Sequence, residues 1–266
     1  MATQVPHIHS SLSVPKIIGA DVLALTPALL AAVFRFGWPA LLSAVLSCAA
    51  AIGAEAAART LFKKKITLYD LSAVLNGLLF FFLMPPGTPP WLTAAASFFS
   101  VFIVKELYGG LAANLFQPAL AGAAFLWIAF PQRMTHGEFP ADIGFFYFLA
   151  GGLYLIWKRP AGGPAPLVYL AVFLLADLVK AQPAAAVLSG PVFFAAFFLV
   201  TDFSTTPMTR WGSALYAAAA AGLAGSLGPK PPEMREIVFS LLFMNALTPW
   251  IDHFIRPAAS YPGLAR

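Results

Sequence analysis

Four polar side chains stand beside glycine or proline within long apolar runs of this sequence. They are the amides of Asn76, Asn114 and Asn245 and the hydroxyl of Ser189. Proline breaks the hydrogen-bond ladder of a helix, and in lipid a broken backbone persists only where protein or a cavity covers it. We therefore expect these side chains to face the interior of a helical bundle, where they bind a ligand or join neighbouring helices.

The remaining reactive residue types exclude several kinds of chemistry. The one cysteine, Cys48, forms no intramolecular disulfide and supports no cysteine-bound zinc or iron–sulfur centre. His7 and His9 supply two metal ligands without a third, which makes a poor site. The sequence contains no Ser-His-Asp arrangement, phosphate-binding loop or dinucleotide fingerprint. We therefore assign no metal ligand and no catalytic residue.

The composition identifies the class of protein. Of the 266 residues, 60% are hydrophobic and 10% are charged, and the mean hydropathy is +0.80. Soluble domains carry about 45–50% apolar and about 25% charged residues, and disorder requires low hydrophobicity with high charge. A soluble globular protein and a disordered chain are therefore both excluded. The long unbroken apolar runs also argue against a transmembrane β-barrel, whose strands alternate apolar and polar residues. The composition predicts an all-α polytopic membrane protein.

The charge-free runs predict about ten transmembrane helices, since one span needs roughly 20 apolar residues. The longest run holds two spans, because the proline- and glycine-rich stretch 84–90 divides it. The predicted spans are 17–34, 36–54, two within 71–104, 107–132, 143–157, 160–176, 181–201, 211–229 and 237–251.

The 16 basic residues predict the orientation of these spans. With the N-terminus in the cytoplasm, eleven basic residues lie inside and five outside, in agreement with the positive-inside rule. Both termini are then cytoplasmic, and the sequence pI of about 9.4 requires no nucleic-acid partner. Asp21, Asp70, Asp177 and Asp202 lie near span ends, so the sequence does not indicate a proton relay within this chain alone.

Two short motifs recur five spans apart. Residues 73–77 (AVLNG) resemble 186–190 (AVLSG), and Asn114-x-x-x-Pro118 resembles Asn245-x-x-x-Pro249. An odd number of crossings inverts the second copy in the bilayer, which is typical of an inverted repeat; chance similarity among abundant residues is the alternative. The predicted organisation is an N-terminal tail (1–15), a single membrane domain (16–257) and a C-terminal tail (258–266). Within the membrane domain, repeat one (16–131) is followed by an extracytoplasmic connector (132–142) and repeat two (143–257).

Five segments, taken together, carry a family resemblance. They are 6–10 (PHIHS), 64–73 (KKITLYDLSA), 109–119 (GGLAANLFQPA), 201–209 (TDFSTTPMT) and 242–252 (LFMNALTPWID). In this order they resemble the RnfD/NqrB family, membrane subunits of ion-pumping electron-transfer complexes of bacteria. The resemblance implies ten helices in two inverted repeats, a urea-transporter-like fold and a place in the bacterial cytoplasmic (inner) membrane. It also implies partner subunits that bring iron–sulfur clusters, further flavin and NADH chemistry.

The resemblance further implies flavins. Family members bind riboflavin non-covalently near the cytoplasmic side, and they esterify FMN to a threonine of a Ser-Gly-Ala-Thr-like motif after the fifth span. The corresponding segment of this sequence, 131–142, is short and lacks that motif, and Thr135 is its single threonine. FMN or riboflavin is therefore the expected cofactor, whereas the sequence does not support covalent attachment at Thr135.

Two parts of the chain are candidates for holding the flavin. The first, around 114–118, offers an amide for the polar edge of an isoalloxazine and an aromatic ring for stacking; its other interpretation is a helix break packed on its symmetry mate. The turn at 202–206 offers hydroxyls to a ribityl chain or phosphate, and its other interpretation is loop and capping chemistry. The candidates are Asn114, Phe116, Pro118, Asp202, Thr205, Thr206 and Asn245.

We interpret the chain as a membrane subunit of an Rnf- or Nqr-like complex. It holds or borders a flavin and supports electron transfer across the membrane, coupled to Na⁺ or H⁺ movement, and the cofactor rather than the chain does the chemistry. One alternative is a channel or transporter for a small polar solute on the same fold, with phenylalanines as constrictions. Another is a scaffold subunit that has lost the covalent cofactor.

Overall fold

The computed structural model describes residues 13–64, 68–111, 113–135, 137–158, 164–179, 188–227 and 232–255. Within these residues the chain is helical and contains no β-strand, so the predicted all-α class is confirmed. The helices are α1 (Val14–Phe36), α2 (Trp38–Leu61), α3 (Ser72–Phe82), α4 (Pro90–Phe99), α5 (Pro118–Ala129), α6 (Pro131–Thr135), α7 (Phe145–Lys158), α8 (Ala165–Val179), α9 (Gly190–Phe194), α10 (Arg210–Leu227) and α11 (Met234–Ile255). Two π-helical segments, Ser100–Glu106 and Ala195–Leu199, continue α4 and α9.

Most helices overlap the apolar runs that predicted them. Several are longer than the predicted spans, as α1, α2 and α11 are relative to 17–34, 36–54 and 237–251. The turn at 84–90 separates α3 from α4, as expected from its prolines and glycine. In the described part of the chain, α1, α2 and α11 are long and apolar enough by themselves to cross a membrane, which is typical of a polytopic membrane protein. Other helices, such as α3, α5 and α8, are shorter, so the count of ten spans stays a prediction. Both predicted tails fall largely outside the described residues.

Helices at corresponding places in the two halves pack on each other. α1 contacts α7, and α5 contacts α11. Within each half, α2 packs on α4 and α8 packs on α10. This pairing agrees with two related halves, while the inversion between them stays a prediction. The connector and the helix ends around it define one side of the bundle, which we call the connector side.

Glycines at the two repeated AVLNG-like motifs allow close backbone contacts. A Cβ atom on Gly77 would lie 2.6 Å from the Cα of Cys48 and 2.8 Å from its nitrogen, so α3 rests directly on the backbone of α2. A Cβ on Gly190 would collide with the carbonyl oxygens of Ala141 and Ile143. Both glycines are thus required by close packing, although Ala186 and Val187 of the second motif lie outside the described residues.

The two Asn-x-x-x-Pro motifs differ in local structure. Pro118 is the first residue of α5, where its missing N–H has no helical partner to lose. Pro249 lies inside α11, near its end. The proline of the first motif therefore starts a helix, whereas that of the second lies within one. The two motifs have the same residue spacing but different backbone conformations.

Four buried phenylalanine rings from both halves pack against each other inside the bundle, and we call them the phenylalanine cluster. It consists of Phe82, Phe148, Phe194 and Phe198, all of which are buried. The Phe82 ring centroid lies 5.4 Å from that of Phe148 and 5.3 Å from that of Phe194, and Phe148 and Phe194 are also 5.3 Å apart. Edge and tilted contacts at these distances are favourable for aromatic pairs. The cluster therefore joins the two halves through aromatic contacts.

Candidate functional site

A small cavity collects several of the sequence-predicted site residues on the side opposite the connector. Its volume is about 50 Å³. We call it the polar cavity. Asn114, Pro118 and Asp202, which come from the two separate candidate parts of the chain, line it together. Its other polar lining residues are Ser72, Asn76, Lys105, Gln117 and Ser204. Residues from α3, the first π-helix, the start of α5 and the turn before α10 therefore converge here.

The amides around the polar cavity are only partly used by the protein. The Asn76 nitrogen donates to the hydroxyl of Ser100 at 2.8 Å, and the Asn114 nitrogen donates to the carbonyl of Phe116 at 2.8 Å. Gln117 is 2% exposed, and neither end of its amide has a partner. Buried polar groups are normally hydrogen-bonded. The cavity therefore holds unsatisfied amide groups, most plainly at Gln117.

The turn at 202–206 is stabilised by its own hydroxyls. Ser204 and Thr205 donate to one carboxylate oxygen of Asp202, at 2.7 and 2.8 Å, and Thr206 donates to the Asp202 carbonyl at 2.6 Å. The Thr205 carbonyl accepts from the hydroxyl of Thr248 on α11 at 2.9 Å. The loop and capping interpretation accounts for these contacts. Of the predicted residues Asp202, Thr205 and Thr206, Asp202 alone lines the polar cavity.

Asn245 joins helices beside the cavity and is not among its lining residues. In the amide orientation that satisfies every partner, its oxygen accepts from the backbone N–H of Gln117 at 3.1 Å. Its nitrogen donates to the hydroxyl of Tyr216 at 2.5 Å and the carbonyl of Leu241 at 3.2 Å. Asn245 therefore links α10 and α11 to the start of α5. The backbone carbonyl of Phe116 accepts a hydrogen bond from the side-chain nitrogen of Asn114.

A buried network of four charges borders the cavity, and sequence reasoning missed it. We call it the ion-pair network: Glu55 and Arg59 on α2, and Lys105 and Glu106 at the end of the first π-helix. The ammonium of Lys105 lies 2.7 Å from Glu55, and the guanidinium of Arg59 lies 2.9 Å from Glu55 and 3.5 Å from Glu106. Glu55, Lys105 and Glu106 are 0%, 3% and 1% exposed. Buried charges require such pairing.

Lys105 connects this network to the polar cavity. Its ammonium also donates to the Ser72 hydroxyl at 2.6 Å, and that hydroxyl donates to the carboxylate of Asp70 at 2.6 Å. The sequence carried one signal for the network: Glu55 and Arg59 are four residues apart in an alanine-rich segment, the spacing of helical ion pairs. The position of Lys105 depends on the π-helix, which periodicity does not reveal.

A much larger cleft lies on the connector side, with a volume of about 780 Å³. We call it the connector cleft. Its lining residues are Phe36, Pro39, Pro85, Pro86, Gly87, Gln132, Arg133, Gly137 and Glu138. Glu138 is held by Arg35 at 2.7 Å. Thr135 lies on the exposed short helix α6, and its hydroxyl donates to the carbonyl of Pro131 at 2.8 Å. The described residues contain no group of three or more His, Cys, Asp or Glu suited to a metal.

The model of the NQR2, RnfD, RnfE family matches residues 1–143 and 141–260. The chain belongs to this family. It is 31% identical to the D-type subunit of the Na(+)-translocating ferredoxin:NAD(+) oxidoreductase complex of Acetobacterium woodii, over 94% of this chain and 92% of that protein. It is 30% identical to the D-type subunit of the proton-translocating complex of Clostridium ljungdahlii, over 95% of this chain and 93% of that protein. The corresponding subunit of the ion-translocating oxidoreductase complex of Methanosarcina acetivorans is also 30% identical, over 93% and 92%.

The two family matches meet at 141–143, at the end of the connector. Covalent FMN in this connector, which the family resemblance implies and the sequence around Thr135 does not support, stays a prediction.

The cavities differ in their capacity for a flavin of the kind the family implies. Pockets for organic ligands usually have volumes of about 300–1,000 Å³, and the polar cavity, at about 50 Å³, has no room for an isoalloxazine. The arrangement of Asn114, Phe116 and Pro118 therefore does not fit a flavin in this structure. The connector cleft, at about 780 Å³, lies within the usual range and carries an amide, Gln132, and a cation, Arg133.

Proposed function

We propose that this chain is the D-type membrane subunit of an Rnf-like ion-translocating electron-transport complex. In this role it supports electron transfer across the membrane, coupled to movement of Na⁺ or H⁺. The observation that carries the proposal is that the polar cavity and the connector cleft lie at the two ends of α3. Ser72 and Asn76 line the polar cavity, and Pro85 and Pro86, just beyond α3, line the connector cleft. The names of the family relatives given above agree with this role.

Buried apolar side chains separate the polar cavity from the connector cleft. Phe82 ends α3 and belongs to the phenylalanine cluster, and it is 0% exposed. A helix of 11 residues is about 16 Å long, so a short apolar barrier separates the cavities. A cation does not cross such a barrier unless the rings move, because hydrocarbon does not solvate charge. This arrangement suits gated coupling better than the open channel for a polar solute that the sequence left as an alternative.

We propose that a flavin lies at the connector cleft, held there or bordered by this chain. When bound, a flavin supplies one- and two-electron transfer chemistry. Arg133 has the charge to bind its phosphate, Gln132 has the amide to bind polar ring or ribityl atoms, and Phe36 offers an apolar wall. The chain thus binds, orients and shields the cofactor. Covalent attachment at Thr135 is not part of this proposal.

The proposed setting is the bacterial cytoplasmic (inner) membrane, with both termini in the cytoplasm and other subunits of the complex as partners. Exposed tryptophans support a place in a bilayer. Trp38 and Trp91 start α2 and α4 on the connector side, and Trp157, Trp211 and Trp250 lie near the opposite helix ends. All five are 63–81% exposed, the arrangement of aromatic belts at the two membrane surfaces.

Co-purification tests this function. The full chain, tagged and extracted in mild detergent from its own host, is expected to bring down subunits that contain iron–sulfur clusters and flavin. Deleting the gene is expected to abolish ferredoxin:NAD⁺ oxidoreduction that drives ion uptake into membrane vesicles. A chain that purifies alone, or vesicles that keep full coupled activity without it, would contradict the proposal.

Liposomes that contain only this chain separate the proposal from the channel alternative. The closed phenylalanine cluster predicts that the chain alone passes neither urea-sized solutes nor ions. Rapid solute flux without redox partners would favour the channel and overturn the electron-transport role.

A further inference from the structure

A further cavity lies on the side opposite the connector, where α8 and α10 begin. Its volume is about 210 Å³, and it is lined by Ala165 of α8, by Arg210 and Ser213 of α10, and by the turn that precedes α10. We call it the arginine cavity, because Arg210 is the one charged group among its lining residues. Whole organic ligands usually occupy pockets of about 300–1,000 Å³. The arginine cavity therefore suits the polar headgroup of a larger molecule better than a flavin or a nucleotide.

The guanidinium of Arg210 is available to a ligand. Arg210 is exposed, and its side chain forms no hydrogen bond or ion pair with another described residue. The carboxylate of Asp252, at the end of α11, accepts from the backbone N–H of Met208 at 3.2 Å and does not line the cavity. An arginine beside a cavity without a lining carboxylate attracts an anion, and phosphate oxygens match the paired donors of a guanidinium. The starts of α8 and α10 add a favourable field for the same charge.

The hydroxyls that line the cavity offer both a donor and acceptors. The Thr209 oxygen accepts a backbone N–H of α10 at 2.9 Å, and its own proton has no acceptor among the described residues. The protons of Thr201, Thr206 and Ser213 are donated to backbone carbonyls at 2.6, 2.6 and 3.0 Å. The remaining capacity of these three side chains is to accept hydrogen bonds through their oxygens. The cavity thus provides a second donor for an anion and acceptors for the hydroxyl groups of a ligand.

The arginine cavity lies at the level of an aromatic belt. Met208 and Trp211, which flank Arg210 in sequence, are 82% and 81% exposed, and such belts mark the headgroup region of a bilayer. Leu167 on α8 and Leu215 on α10 lie close by and are also exposed, so apolar surface for acyl chains adjoins the cavity. A ligand with a phosphate at Arg210 and hydrocarbon along these leucines has the chemistry of a phospholipid.

We infer that the arginine cavity binds the headgroup of an anionic phospholipid of the phosphatidylglycerol type. The phosphate is held by the Arg210 guanidinium and the Thr209 hydroxyl, and the glycerol hydroxyls donate to the oxygens of Thr201, Thr206 and Ser213. A choline headgroup would instead bring a positive charge towards Arg210 and would supply no hydroxyl. This lipid site goes beyond the proposed function, because it requires no redox partner.

One residue connects the lipid site to the polar cavity. Phe203 lines both cavities, while Asp202 lines only the polar cavity and Thr206 only the arginine cavity. A bound headgroup therefore contacts the turn at 202–206 from the side of the arginine cavity. Lipid binding stabilises the part of the chain that borders the polar cavity.

Thermal unfolding of the purified full chain tests the site. The chain is freed of lipid in detergent, and its melting temperature is measured as phosphatidylglycerol, phosphatidylcholine with the same acyl chains, or inorganic phosphate is added. A ligand that binds only the folded state stabilises it increasingly as its concentration rises. We expect a clear rise with phosphatidylglycerol, a smaller rise with phosphatidylcholine and none with inorganic phosphate. Equal rises with the two lipids would overturn the inference, and a rise with inorganic phosphate as large as that with phosphatidylglycerol would identify a free phosphate as the ligand instead.

Removal of the charge locates the site. Arg210→Gln is expected to raise the phosphatidylglycerol fraction needed for a given stabilisation by about tenfold, which corresponds to about 1.4 kcal/mol. In phosphatidylcholine alone this variant should melt like the wild type, because Arg210 is exposed and pairs with no described residue.

Lys64→Gln is the matched control. Lys64 is also exposed, follows the end of α2 on the same side of the bundle and does not line the arginine cavity. It removes the same charge from a chain whose formal net charge is +5, and it should keep the phosphatidylglycerol response. Equal losses in Arg210→Gln and Lys64→Gln would show nonspecific attraction to anionic lipid and would overturn the site.

Two further variants keep the test informative if Arg210→Gln does not fold. Arg210→Lys keeps the charge without the paired donors, so it should retain the preference for phosphatidylglycerol with weaker binding. Arg210→Glu repels the phosphate and is expected to abolish the preference. The same lipid response in the wild type, Arg210→Lys and Arg210→Glu would overturn the assignment of Arg210 to the phosphate.

Discussion

The side-chain oxygen of Asn245 accepts a hydrogen bond from the backbone N–H of Gln117 at 3.1 Å, and this bond joins α11 to the residue that precedes α5. The same amide reaches Tyr216 on α10. Asn245→Leu leaves a buried N–H and a buried hydroxyl without partners, each of which destabilises by about 1–3 kcal/mol. We expect a lower free energy of unfolding, measured by denaturation in detergent.

A double-mutant cycle checks that Tyr216 is the partner. Tyr216→Phe removes the hydroxyl, so it should be less destabilising in the Asn245→Leu background than in the wild type. Ser240→Ala on the same helix is the control, because the Ser240 hydroxyl donates to the carbonyl of Ile237 in its own helix and, among the described residues, joins no other helix. Additive losses for Asn245 and Tyr216 would contradict the coupling.

Removing one member of the ion-pair network is expected to destabilise the chain strongly. Glu55→Leu leaves Lys105 and Arg59 buried beside a single carboxylate, and Lys105→Met leaves Glu55 and Glu106 with one cation. Breaking a buried ion pair typically lowers the free energy of unfolding by about 3–5 kcal/mol. The double variant should lose clearly less than the sum, because it removes both charges of one pair.

The exposed pair of Arg35 and Glu138 provides the contrast for this network. Their atoms are also 2.7 Å apart, but the side chains are 48% and 63% exposed. Exposed pairs contribute about 0–1 kcal/mol, so Glu138→Gln should change the melting temperature little. Similar losses for Glu55→Leu and Glu138→Gln would show that burial of the network does not govern its strength.

The sequence predicted the helical class and the helix positions because apolar runs and proline turns act locally. The division of α3 from α4 at 84–90 follows directly from residue types. Helix lengths were less predictable: α5 begins only at Pro118 although its apolar run starts at 107, since the glycines and Asn114 before it form irregular backbone. Such limits depend on contacts with other helices rather than on hydropathy.

Of the predicted site residues, Asn114, Pro118 and Asp202 line the polar cavity. Asn114 turns inward as expected of an amide within an apolar run, and cofactor binding by any of the three stays a prediction. The charges of Glu55, Lys105 and Glu106 were not predicted, because each stands at the edge of an apolar run and is expected at a membrane surface. Only the close packing of α2 on the π-helix buries them. Their partners are distant in sequence, which no spacing rule reveals.

Close contact between α2 and α3 makes Gly77 sensitive to substitution. In Gly77→Ala the new methyl group would lie 2.6 Å from the Cα of Cys48, so two backbones must separate. Overpacking of this kind destabilises by about 1–3 kcal/mol. Gly222→Ala in α10 is the matched control, since no described atom beyond its own stretch of helix lies within 4 Å of its Cβ position. Because alanine favours helix over glycine by about 0.5–1 kcal/mol, the control should be neutral or stabilised, and equal effects would refute the contact.

Thr135 is expected to carry no flavin. Its hydroxyl already donates to the carbonyl of Pro131 at 2.8 Å within α6, and the connector around it lacks the Ser-Gly-Ala-Thr-like motif. The family resemblance ties esterification to that motif, and the motif is absent around Thr135. The intact mass of the chain, purified from its own host, should therefore equal the mass of the sequence alone. Thr135→Ala is the control: it should differ only by the side-chain change, with the same flavin content in the assembled complex. An added FMN-phosphoryl mass that disappears in Thr135→Ala would overturn the prediction and restore the covalent cofactor to this connector.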